Sequence, residues 1–127
     1  FVQRTGVDTL AVAIGTAHGI YPKDMKPELQ MHILKEISQR VDIPLVLHGG
    51  SANPDAEIAE AVMLGVGKIN ISSDMKFAYF ARLREILARE SWWDPNVIYP
   101  DAIAAAKAVI RYKMNLFGGL GKAGLYR

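Results

Sequence analysis

Two histidine–glycine pairs are the residues of this chain best suited to metal chemistry. His18 precedes Gly19 and His48 precedes Gly49, and each pair follows an apolar stretch. The histidines are thirty positions apart, the length of one strand–helix–strand unit, so they would end neighbouring parallel strands at one edge of a sheet. Catalytic zinc commonly takes three protein ligands. The pattern therefore predicts His18 and His48 as two of them, the alternative being hydrogen-bonded histidines at sheet ends.

Glycine and serine in two loops predict the binding of an anion. Gly49, Gly50 and Ser51 follow the second histidine, and residues 70–73 read Asn-Ile-Ser-Ser. Glycine lets the backbone approach an anion closely, and serine hydroxyls with the amides of a helix start complete a phosphate-binding loop. The alternative for either loop taken alone is ordinary turn and cap chemistry. Because both loops occur beside the paired histidines, phosphate binding is favoured.

Three other charged or titratable residues have less specific patterns. Lys76 lies in the first turn of the next helix and either meets a second anionic group or is solvated. Lys68 opens the predicted third strand, at the end opposite to the histidines, which argues against an imine-forming lysine. His32 lies between Glu28 and Glu36 at four-residue spacing, so we expect it on the surface.

Strands alternating with helices must position these residues. Strands are expected at 7–14, 45–48 and 68–72, and helices from Pro27, from a cap at Asn53 and from Ser72-Ser73-Asp74. This order predicts an α/β fold with a parallel sheet. The helices present rows of apolar residues at three- and four-residue spacing: Leu29, Ile33, Ile37 and Val41; Phe77, Phe80, Leu83 and Leu87; and Ile103, Ala106, Ile110, Met114 and Phe117.

Composition narrows the classes of function. The 127 residues are half apolar and carry a formal charge of +2, which gives no reason to expect nucleic acid. The absence of cysteine leaves only nitrogen and oxygen ligands for a metal. No apolar run approaches the roughly 20 residues of a membrane span, so we expect no membrane partner and a cytoplasmic location. The chain opens without methionine, on what reads as a helix end, and we expect a piece of a longer polypeptide.

Four stretches, at 11–19, 44–51, 68–74 and 116–123, together resemble the class II, zinc-dependent ketose-bisphosphate aldolases, and most of all the fructose- and tagatose-bisphosphate branch. The resemblance covers nearly the whole chain in order and in spacing. It implies a (β/α)₈ TIM barrel, of which residues 1–127 form one segment, the C-terminal part with about strands six to eight. The N-terminal part of that barrel is absent from this chain.

The resemblance also implies roles for single residues. His18 and His48 look like the second and third zinc ligands, and Lys76 occupies a position where the family often has a basic residue near the second phosphate. Backbone carbonyls of these loops can hold a monovalent cation, Na⁺ or K⁺, in such enzymes. The acid–base residues and the first zinc histidine belong to earlier strands, so no catalytic residue is expected in this chain. The groups implied to hold the dihydroxyacetone phosphate half of the substrate are Gly19, Gly49, Ser51, Asn70, Ser72 and Ser73.

The implied reaction is cleavage or formation of a ketose 1,6-bisphosphate, from dihydroxyacetone phosphate and glyceraldehyde 3-phosphate, through a zinc-stabilised enediolate. The aromatic residues and the tail segment predict a homodimer or homotetramer. This chain alone is not expected to be active. One alternative is a non-catalytic fragment or structural module that binds phosphate or metal. A zinc hydrolase is a weaker one, because such enzymes usually have an acid at the last strand end, where this chain has Asn70.

Overall fold

The computed structural model describes residues 1–16, 28–51, 53–89 and 91–126. They form two compact units, Phe1–Ile71 and Ser72–Arg127. No helix among these residues has the length and apolar character needed to cross a membrane. In chain order the elements are α1 (Val2–Thr5), β1 (Leu10–Ala11), α2 (Met31–Ser38), β2 (Leu45–Leu47), α3 (Asp55–Met63), β3 (Val66–Ile69), α4 (Ser73–Arg89), α5 (Pro95–Leu116) and a 3₁₀ turn (Ala123–Tyr126).

The first unit is built on a three-stranded parallel sheet in the order β1-β2-β3. Leu45 of β2 is aligned with Leu10 of β1 and with Val66 of β3. All three residues of β2 are buried, which explains why its sequence is apolar without alternation. Burial of each such side chain contributes about 1.5–3 kcal/mol. The predicted α/β fold with parallel strands is confirmed, although the strands are shorter than expected.

Helix α2 begins at Met31, so the prediction of a helix of about four turns starting near Pro27 is wrong where it can be compared, at residues 28–30. Pro27 itself lies outside the described residues. The backbone N–H of Leu29 donates to the Glu57 carboxylate at 2.7 Å, and the N–H of Gln30 donates to the Ile14 carbonyl at 2.8 Å. These bonds connect residues 29–30 to α3 and to Ile14, three residues after β1, so both amides are used outside a helix.

The second unit is a pair of packed helices, α4 and α5. Lys113 Nζ lies 3.4 Å from the Asp74 carboxylate, and Arg82 donates to Asp101 at 2.7 Å. The hydrogen bond to Asp101, and then that to Glu85, raises the pKa of Arg82 above its ordinary value. Both ion pairs link the two helices, so the pairing is fixed by charge at two places.

The predicted apolar rows only partly coincide with the buried residues. On α2 the fully buried residue is Leu34, while Ile33 is exposed. On α4 it is Ile86 that is buried, whereas Phe77, Phe80 and Leu87 are exposed. On α5, Ile98 and Ala102 are buried, whereas Ile103, Ile110 and Met114 are exposed. Several apolar rows are available on each helix, and only the position of the packing partner decides which of them is covered.

Gly50 is required by packing, which gives a first prediction. A Cβ at this position would lie 2.6 Å from Ile69 Cγ2 and 3.1 Å from Ile71 Cδ1. We expect Gly50→Ala to lower the free energy of unfolding by about 1–3 kcal/mol, because the loop must move off the end of β3. Gly124→Ala is the control, since nothing lies within 4 Å of its added Cβ. Urea denaturation of both variants measures the difference, and equal stability would contradict the packing argument.

Candidate functional site

The candidate site of the first unit lies where β2 ends. His48 directly follows Leu47, the last residue of the strand, and its side chain is exposed. Gly49 then takes a positive φ of 66°, a backbone conformation that favours glycine. The strand is therefore followed by a sharp turn, and His48 is held at the carboxyl end of the central strand, as predicted.

Two backbone hydrogen bonds fix this turn against the end of β3. The Asn70 N–H donates to the Leu47 carbonyl at 3.0 Å, and the Gly50 N–H donates to the Asn70 carbonyl at 3.3 Å. The Gly50 N–H is thus already hydrogen-bonded within the protein and does not point to a site where an anion could bind. Glycine is needed at position 50 because Ile69 and Ile71 leave no room for a Cβ, whereas the sequence suggested close approach of the backbone to an anion.

Asn53 connects the start of α3 to the same turn. Its Nδ2 donates to the Gly49 carbonyl at 2.7 Å and to the Ser51 carbonyl at 3.2 Å. The predicted role of Asn53 as helix cap is wrong, because Pro54 is the N-cap and no side chain caps the helix. The fixed φ of Pro54 sets the direction in which the chain enters the helix. Because the Asn53 side chain does not cap the helix, its amide can donate to the carbonyls of the turn.

A chain of hydrogen bonds connects Lys68, Asn70 and His48. The Lys68 ammonium donates to Asn70 Oδ1, and Asn70 Nδ2 lies 2.9 Å from His48 Nδ1 and 3.3 Å from Nε2. An ammonium group can only donate, so the amide oxygen faces Lys68 and the amide nitrogen faces the imidazole. The amide nitrogen also only donates, and the nearer ring nitrogen, Nδ1, is its acceptor. Lys68 and Asn70 together therefore orient the His48 ring.

The position of Lys68 corrects a prediction. Lys68 is the third of the four residues of β3 and its side chain reaches the carboxyl end of the strand, so it does not lie at the end away from the histidines. The position of Lys68 in the strand therefore gives no argument against an imine-forming lysine.

The structure brings some of the predicted site residues together. His48, Gly49, Ser51 and Asn70 share one end of the sheet, and the exposed fraction of Ser51 is only 4%. Ser72, Ser73 and Lys76 belong to the second unit, where the Ser72 carbonyl accepts from the Lys76 N–H at 3.1 Å and so begins α4. His18 and Gly19 lie outside the described residues. The assigned metal and substrate roles of all these residues stay predictions.

The sequence did not predict the hydrogen bonds that three residues make. Asn53 was predicted to cap a helix, no role was predicted for Glu57, and Lys68 was predicted at the opposite end of its strand. Their hydrogen bonds span 4, 28 and 2 positions, respectively. The Lys68–Asn70 contact could have been predicted from the sequence, since residues two apart in a strand share one face. The partner of Glu57 is set by tertiary structure alone.

A separate cavity lies along α5 in the second unit. Its volume is about 600 Å³, and it is lined by residues of α5 together with Leu120 of the tail, including the cations Lys107 and Arg111. None of the predicted site residues that the structure describes lines it.

The donor chemistry of His48 suits a metal, since imidazole nitrogen is a preferred zinc ligand. The described residues contain no group of three or more histidines, cysteines or carboxylates that could hold an ion. His48 is thus one ligand of the right type beside a hydrogen-bonding amide. The partner that the sequence assigns to it, His18, is not among the described residues.

A model of the family described as fructose-bisphosphate aldolase class-II matches residues 1–122. The chain belongs to this family of class II aldolases. It is similar to the D-tagatose-1,6-bisphosphate aldolase subunit GatY of Klebsiella oxytoca, with 42% identity over 123 residues. That match covers 96% of this chain and 43% of the relative. The resemblance predicted from four sequence stretches is confirmed.

Solved structures of class II aldolases have the same fold. The YdjI aldolase from Escherichia coli K12 gives a TM-score of 0.80 at 35% identity, over 96% of this chain and 43% of that one. A putative fructose-1,6-biphosphate aldolase from Coccidioides immitis gives 0.82 at 27% identity, over 97% and 42%. These aldolases are TIM-barrel proteins. The chain spans less than half the length of the relatives it matches.

The orientation of His48 in this family member can be tested directly. In an Asn70→Asp variant, residue 70 still accepts from Lys68 but no longer donates to the imidazole. We expect the His48 ring to donate to the new carboxylate instead of accepting from residue 70, which long-range ¹H–¹⁵N spectra of the ring nitrogens measure. Asn115→Asp, at an exposed position of α5, is the control. Identical ring-nitrogen shifts in wild type and Asn70→Asp would refute the assigned hydrogen bond.

Proposed function

We propose that the polypeptide carrying this chain is a metal-dependent ketose 1,6-bisphosphate aldolase. The reaction is reversible cleavage to dihydroxyacetone phosphate and glyceraldehyde 3-phosphate. The observation that supports this most is the position of His48, which lies at the carboxyl end of the central strand beside Asn70 in a chain of the class II family. Barrel enzymes carry their chemistry at that end of the strands.

His48, together with His18, would hold a zinc ion in this proposal. Zinc supplies a Lewis acid that stabilises negative charge on substrate oxygens. Asn70, whose amide oxygen accepts from Lys68, lies next to His48 Nδ1, and an ion bound at that nitrogen would take the place of the hydrogen bond from Asn70 Nδ2. Further metal ligands and the proton-transfer residues are assigned to the part of the barrel that the chain does not span.

The remaining predicted residues would bind the phosphorylated sugar. Gly19, Gly49, Ser51, Asn70, Ser72 and Ser73 are assigned to the dihydroxyacetone phosphate half, and Lys76 to the second phosphate. Binding energy from the phosphates fixes the reacting carbons relative to the metal and so lowers the barrier of the chemical step. The proposal also includes a Na⁺ or K⁺ ion bound by loop carbonyls. It further includes a cytoplasmic location and a homodimeric or homotetrameric assembly.

A second candidate is a non-catalytic fragment or module that binds phosphate or metal. The chain spans 43% of a tagatose-bisphosphate aldolase subunit, and no acid–base residue of the reaction is assigned to it. The module predicts binding of phosphate or metal without turnover. The aldolase predicts that metal content and turnover are lost together.

Substitution of the candidate ligand separates these two functions. We expect His48→Ala, made in the complete polypeptide, to lose bound zinc and to reduce retro-aldol cleavage of fructose or tagatose 1,6-bisphosphate by at least about a thousandfold. His32→Ala removes an imidazole from the exposed side of α2 and is the matched control. Zinc content by mass spectrometry and cleavage by a coupled assay are the measurements. Unchanged zinc in His48→Ala would favour the module.

Removal of the metal is an independent test. A chelator should abolish cleavage, and added zinc should restore it, because the electrophile is the ion and not a lysine. Borohydride with substrate should trap no covalent adduct on Lys68 or Lys76. Cleavage that persists in chelator and is inactivated by borohydride would exclude the proposed mechanism in favour of an imine.

A further inference from the structure

We propose that Asn53 is a positioning residue of the candidate site, which sets the conformation of the turn 49–51 and through it the affinity for phosphate. The inference rests on the proposed function in assigning that turn to phosphate. Asn53 itself is buried, with an exposed fraction of 6%, and it follows the turn directly before α3. No role in metal binding or catalysis is assigned to it.

The peptide group between Gly49 and Gly50 is held at both ends. Its carbonyl accepts from Asn53 Nδ2 at 2.7 Å, and its N–H donates to the Asn70 carbonyl at 3.3 Å. Rotation of this peptide is the main freedom of a turn in which Gly49 has a φ of 66°. Asn53 therefore blocks the motion that glycine would otherwise allow.

The second bond of Asn53 extends this control to Ser51. The same Nδ2 donates to the Ser51 carbonyl at 3.2 Å, so one amide group joins two carbonyls of the turn. Asn53 Oδ1 is buried and has no hydrogen-bond partner among the residues that the structure describes. Among these residues, Asn53 is therefore bound to the turn through its amide nitrogen, which donates to both carbonyls.

Two variants of the complete polypeptide test this role. Asn53→Asp keeps the shape but places a carboxylate oxygen against two carbonyl oxygens, and Asn53→Leu removes both donors while filling the volume. We expect the Gly50 amide to exchange its hydrogen about tenfold faster in each. The Leu45 N–H, which donates to the Gly65 carbonyl, and the Asn70 N–H report on the sheet and should not change. Asn115→Asp is the matched control.

Ligand binding distinguishes positioning from a purely structural role. We expect the Kd for inorganic phosphate, and the KM for the ketose bisphosphate, to rise about tenfold in Asn53→Asp, while kcat changes less than about twofold. Faster Gly50 exchange with unchanged phosphate affinity would overturn the proposal, as would equal acceleration of the Leu45, Gly50 and Asn70 amides. If the wild-type polypeptide binds phosphate but cleaves no ketose bisphosphate, the proposed function fails, and the exchange and phosphate results still support the role of Asn53.

Discussion

The hydrogen bond from the Asn70 N–H to the Leu47 carbonyl is the interaction on which the candidate site depends. It continues the parallel pairing of β2 with β3 one residue past the aligned pair Leu47 and Ile69. The side chain of Asn70 is thereby placed beside His48, and its carbonyl accepts from Gly50. A slip of one residue in this register would turn Asn70 to the other face of the sheet.

Several hydrogen bonds join the polar groups around the turn to one another. Asn70 uses its backbone N–H, its backbone carbonyl, its amide nitrogen and its amide oxygen in four separate hydrogen bonds. Each contributes about 0.5–1.5 kcal/mol net, and the two bonds of the side chain are exposed to solvent, which lowers their contribution. The network therefore serves geometry more than stability, since it fixes one rotamer of Asn70 and one orientation of the His48 ring.

The second unit combines a small buried core with ion pairs between its two helices. Its helices bury few large side chains, while Phe77, Trp93 and Tyr112 remain exposed. The pairs Lys113–Asp74 and Arg82–Asp101 align α4 with α5, although exposed ion pairs contribute little to stability. The partial burial of Lys113 and Asp74 makes that pair the less screened of the two.

The sequence by itself determined the α/β class, the parallel order of the strands and the family. The buried run at β2, the histidine–glycine ending and the Lys-Ile-Asn-Ile-Ser-Ser stretch are local patterns, and local patterns fix which face is apolar and where a turn falls. The position of His48 at a strand end followed from these alone.

Only the tertiary structure decided which polar groups meet. The bond of Glu57 to the Leu29 amide, which shortens α2, joins residues 28 positions apart. Gly50 is glycine because Ile69 and Ile71 pack against it, and Asn53 serves the turn behind it and not the helix ahead of it. The contacts of Glu57 and Gly50 depend on how close segments that are far apart in the chain come to each other. The contact of Asn53 depends on which of several nearby groups its amide binds. The periodicity of a sequence indicates which residues share one face of a helix or strand. It does not indicate which residues of other segments contact that face.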